Sequence, residues 1–137
     1  MTSVIESPPT PTRAGVRAAL VVAVAGSATA GLVHIAAVRA HDGQQVLVWM
    51  FALCAIAQLG WAALVTRRTT TPVLIAGLVV NGGALAFWAV SRTVGIPFID
   101  ALAGAGAVGE QDLGAALFAG PAWRALAASS CARRRAE

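Results

Sequence analysis

Long apolar runs, interrupted only by short polar connections, set the pattern of this chain. A membrane span needs about 20 predominantly apolar residues, because a helix rises about 1.5 Å per residue and the hydrocarbon core is roughly 30 Å thick. Three segments meet that requirement: Val16 to Val38, Val46 to Thr66 and Val73 to Ser91. A fourth, Leu113 to Cys131, is interrupted by Pro121 and Arg124, and an arginine at mid-depth costs roughly 2.5–3.5 kcal/mol unless it snorkels to the interface. The pattern predicts an all-α polytopic transmembrane bundle of about four helices. Residues 1–15, rich in Ser, Thr and Pro, have no apolar period and read as a disordered tail. Residues 16–131 form the transmembrane domain, and residues 132–137 a basic tail.

Arginine placement orients the bundle, since cytoplasmic connections retain cations. Arg13 and Arg17 precede the first span, Arg67 and Arg68 join the second to the third, and Arg133, Arg134 and Arg135 follow the fourth. The other two connections hold Arg39 and Arg92 against Asp42, Asp100, Glu110 and Asp112, so that face is net acidic. Both termini are therefore expected in the cytoplasm, in a multi-pass protein of the cytoplasmic membrane whose immediate partner is the lipid bilayer. A cleavable signal peptide ending at Ala28-Thr29-Ala30 is the competing reading of the first span. The apolar run continues through Leu32, Val33, Ile35 and Val38, which argues for a retained helix.

Composition agrees: of 137 residues, 58% are hydrophobic and 12% charged, about half the charged share of an average soluble domain. All 10 cations are arginines, and all but Arg124 lie near span ends, where topology accounts for them, so no nucleic-acid partner is expected. Cys54 and Cys131 fall at different expected depths and make neither a disulfide nor a metal pair. The abundance of alanine, glycine and arginine, with no lysine or tyrosine, is what a GC-rich bacterial genome writes.

Polar groups at membrane depth carry the chemistry. Ser27, Gly31, His34, Val38 and His41 share one face of the first helix, with small residues beside them that admit a close neighbour. Asn81, Leu85, Trp88 and Arg92 climb the third helix toward the same side, and Cys54, Gln58 and Trp61 share a face of the second. Gln58 and Asn81 reach similar depth on antiparallel neighbours, which makes them candidates for an interhelical hydrogen bond. Trp49, Trp61, Trp88 and Trp123 lie toward span ends, as an aromatic belt does. An outer chamber containing His34, His41, Trp49, Trp88 and Arg92, beneath the acidic 93–112 loop, follows from these placements.

Two readings of the histidines stay open. Neutral imidazole ligates transition metals or haem iron, which makes His34 and His41 candidate metal ligands, although seven residues separate them by roughly 10 Å along the helix. The alternative is a hydrogen bond across the bundle for His34 and a solvated position for His41. A quinone head group beside the tryptophans also fits the chamber. Gly104, Gly106 and Gly109 match the dinucleotide glycine spacing by chance, with no strand before them. No paired carboxylates, nucleophile elbow or phosphate loop is visible. The expectation is an accessory or binding protein rather than an enzyme, its cofactor unknown, acting alone, as a homo-oligomer or within a larger membrane complex. A transporter or channel subunit is a further alternative, and it requires oligomerisation.

The run Trp88-Ala89-Val90-Ser91-Arg92-Thr93-Val94-Gly95-Ile96-Pro97-Phe98 resembles an uncharacterised family of small four-helix integral membrane proteins of actinobacteria. The resemblance extends to His34, His41, Gln58, Asn81 and Val108-Gly109 before Asp112. It implies the four-helix architecture and no activity. The chain departs from that pattern at Pro121-Ala122-Trp123-Arg124, within the fourth apolar segment. Read physically, Gly95 and Pro97 end the third helix, and Arg92 suits the negative end of its dipole.

Overall fold

The computed structural model describes residues 12–104; the fourth apolar segment, Glu110, Asp112, residues 1–11 and the C-terminal tail lie outside them, while Arg13 to Gly15, expected in the N-terminal tail, form the first turn of α1. Among the described residues there are three long helices, α1 (Arg13–Ala40), α2 (Gln45–Arg67) and α3 (Thr71–Thr93), and one 3₁₀ turn (Asp100–Leu102). At 28, 23 and 23 residues, all three are long and apolar enough to cross a membrane. Large apolar side chains such as Leu53, Ile56 and Val79 lie on the outside, where a bilayer is the solvent that suits them.

Helix ends follow local chemistry. Thr12 caps α1 by accepting from Gly15 N at 3.2 Å. Gly43, at φ +92°, turns the chain into α2. Pro72 occupies the first turn of α3, where its missing N–H costs nothing. At the far end of α3, Gly95 adopts φ +76° and donates to Val90 O at 3.1 Å. A Cβ at Gly95 would lie 2.9 Å from Gly104 C, because the following segment folds back and Ile96 N bonds Leu102 O.

Helix α2 packs against both neighbours, more extensively against α1. The α1–α2 contact is built on Ala23, Ser27 and Gly31, spaced four apart and all buried. A Cβ at Gly31 would sit 2.7 Å from Leu59 Cγ, and Ser27 Oγ donates to the backbone oxygen of Gln58 at 3.1 Å. At the end holding the α1 N-terminus and the α2–α3 connection, the bundle is closed by a core of Ala23, Trp61, Ala62, Val65 and Leu74.

Trp61 departs from the aromatic-belt expectation. It is 4% exposed, its Nε1 donates to Val73 O at 2.7 Å, and its ring fills the space that the absent side chain of Gly77 leaves on α3. An aromatic ring near a span end snorkels only if no neighbour offers both a flat surface and an acceptor, and α3 offers both.

Gly77→Ala is accordingly expected to destabilise the protein by about 1–3 kcal/mol through overpacking against Trp61. Gly60→Ala, which meets open space, should be neutral or stabilising by less than about 1 kcal/mol. Reversible unfolding in mixed micelles distinguishes the two, and equal effects would contradict this packing.

Candidate functional site

The opposite end of the bundle is open inside. Where α1 ends, α2 begins and α3 ends, the three helices wall a cavity of about 520 Å³. Helix α1 and its cap contribute Val33, His34, Ala37 and His41; α2 contributes Leu47, Met50, Phe51, Cys54 and Gln58; α3 contributes Leu85, Phe87, Trp88, Ser91 and Arg92. Leu102, from the segment that folds back beneath Gly95, completes the wall. Trp61, Val65 and Leu74 fill the closed end, whereas at this end the small residues Ala30, Ala37, Gly83 and Ala84 are part of the cavity wall.

The polar groups are organised around two imidazoles. His34 Nδ1 lies 2.8 Å from Gln58 Oε1. An amide oxygen can only accept, so in this contact Nδ1 donates to Gln58 Oε1. His41, at the C-cap of α1, donates from Nδ1 to Ala37 O at 2.8 Å, a carbonyl that also accepts the His41 backbone N–H at 3.1 Å. Both histidines therefore spend Nδ1 on the protein and keep Nε2 for whatever enters. The ring of Phe51 contacts both, with centroids 5.8 Å from His34 at 25° and 5.0 Å from His41 at 46°. It makes a continuous aromatic wall and separates the two imidazoles.

Hydrogen bonding is incomplete in this region. Gln58 is 1% and Asn81 0% exposed. Gln58 turns to His34 on α1, while Asn81 Nδ2 donates to Gly77 O of its own helix at 2.9 Å. Gln58 Nε2, Asn81 Oδ1 and Trp88 Nε1 are buried without a hydrogen bond. No bond thus joins Gln58 to Asn81; equal depth on adjacent helices sets their level, but rotation about the helix axes points Gln58 toward α1. A buried unpaired polar group costs about 1–3 kcal/mol, and in hydrocarbon no water relieves it.

His34, His41, Trp88 and Arg92 line one cavity, whereas Trp49 is 62% exposed and outside it. Arg92 is engaged with a partner of its own. Asp42 and Asp100 are exposed at the same end. Among the described residues, no three His, Cys, Asp or Glu side chains group so as to hold a metal ion. Phe51 and Met50 were not among the polar candidates; both are apolar residues in an apolar helix, and only their spacing from Gln58 on α2 hints at a common face.

Comparison with known proteins gives no match: no family, no curated protein and no solved structure is similar enough to inform the site.

The His34–Gln58 pair should behave as a unit. In a double-mutant cycle of His34→Ala and Gln58→Leu, the coupling energy is expected to be about 1 kcal/mol, within the range of membrane hydrogen bonds. Strict additivity would show that the pair contributes nothing to the folded bundle.

Proposed function

We propose that this is a multi-pass protein of the cytoplasmic membrane that binds a small amphipathic molecule in the cavity, as an accessory or binding protein without catalysis of its own. The observation that carries this reading is the cavity's composition. A volume of about 520 Å³ falls within the roughly 300–1,000 Å³ of small-molecule sites, which likewise combine apolar walls with a few convergent polar groups. Here those groups are His34, His41, Gln58, Trp88 and Arg92, against Leu47, Met50, Phe51, Leu85 and Phe87.

The arginine distribution supports both termini in the cytoplasm and a fourth span over residues 113–131. The cavity then lies in the outer leaflet, reachable by a molecule dissolved in lipid. Membership of the actinobacterial four-helix family, carried by the Trp88 to Phe98 run, is part of the same proposal.

A metal or haem is the second reading, and one observation favours it. Ligating histidines typically donate their other ring nitrogen to a carbonyl, which orients the ring and keeps the ligating nitrogen unprotonated, and His34 and His41 both do so. Phe51 between them makes each a ligand to its own group rather than a pair on one ion.

One preparation tests both. Protein purified in mild detergent is extracted for mass spectrometry and examined by absorption and elemental analysis, beside Ala84→Trp, which fills the cavity, and His34→Ala. The ligand reading predicts a stoichiometric amphipathic species, about tenfold depleted in Ala84→Trp when that variant melts normally. Equal amounts in both would identify ordinary surface lipid and overturn the reading. A Soret band or stoichiometric iron, copper or zinc lost in His34→Ala would replace it with the second.

A further inference from the structure

The unpaired donors specify the head group. Gln58 Nε2 and Trp88 Nε1 belong to residues that line the cavity, and both N–H groups are buried without an acceptor. A ligand oxygen is the partner both lack.

The charge of that oxygen is also constrained. The Gln58 and Trp88 donors are neutral, and Arg92, the cation of the cavity wall, is engaged within the protein. A buried carboxylate or phosphate needs a cation of its own. Carbonyl oxygens do not.

Shape adds a third condition. The His34, Phe51 and His41 rings form an aromatic wall on α1 and α2, and Trp88 presents an indole from α3. Aromatic surfaces on different helices favour a flat ring between them, and the apolar remainder suits a hydrocarbon tail. The two imidazole Nε2 atoms complete the set, because an unprotonated ring nitrogen accepts from a hydroxyl.

We infer that the occupant of this cavity is a membrane-soluble quinone, its ring against the His34–Phe51–His41 wall and its carbonyl oxygens accepting from Gln58 Nε2 and Trp88 Nε1. This rests on the cavity being a ligand site, as proposed above. The reduced quinol finds its acceptors in the histidine Nε2 atoms, so both redox forms are bound.

The test uses the full chain in phospholipid nanodiscs, with tritiated decyl-naphthoquinone as probe and unlabelled decanoate as a competitor that matches the tail and replaces the ring with an anion. Saturable one-site binding is expected, weakened about tenfold by Trp88→Phe, which keeps the ring and removes the N–H, and similarly by Gln58→Leu. Decanoate should not compete. Trp88→Phe is the decisive variant if Gln58→Leu unfolds, because the indole N–H has no structural partner to lose. Unchanged binding in Trp88→Phe, or displacement by decanoate at equal concentration, overturns the quinone assignment. Saturable binding of labelled decanoate with none of the quinone overturns it while leaving the ligand cavity standing; saturable binding of neither removes both.

Discussion

Close approach of α1 to α2 is the constraint on which the rest of this structure depends. Ala23, Ser27 and Gly31 present almost no side chain toward α2, so the two backbones come near enough for Ser27 to bond the Gln58 carbonyl and for Leu59 to lie over Gly31. In lipid there is little hydrophobic drive between helices, so such contact rests on packing and interhelical hydrogen bonds. One turn beyond Gly31 on α1 comes His34. The approach that brings Gly31 onto α2 also brings the His34 ring to Gln58, so the packed contact and the cavity are consecutive parts of one interface.

A division of labour along the bundle axis follows. The closed end is organised by Trp61, whose ring needs Gly77 to be bare and whose N–H needs Val73 O. The open end keeps unsatisfied groups, which a protein tolerates where function requires them. The fold-back after Gly95 belongs to the open end, since it delivers Leu102 to the cavity wall. Stability is concentrated where chemistry is absent.

The three described spans are legible in the sequence because hydrocarbon demands unbroken apolar helices, and the end of the third because Gly95 and Pro97 do not readily continue a helix. The Ser27–Gly31 stripe was legible as a small-residue face. What periodicity could not supply was rotation about each helix axis. Gln58 and Asn81 have suitable depth for each other, yet Gln58 turns to α1, and a sequence carries no direct record of azimuth. Trp61 read as a belt residue because its partner, Gly77, is a missing side chain on another helix. Phe51 had no signal, being an apolar residue among apolar residues until the fold sets it against two histidines.

The central claim, that the small-residue approach of α1 to α2 sets the chemistry of the cavity, is tested most directly by the ring-nitrogen NMR signature of His34 in lipid bilayers, in the native protein and in Gly31→Val. The native ring should show a hydrogen-bonded Nδ1–H, and Gly31→Val, by forcing α1 off Leu59, should abolish that hydrogen bond while the helices remain inserted. A native ring without a hydrogen-bonded Nδ1–H, or an unaltered signature in Gly31→Val, would contradict the account.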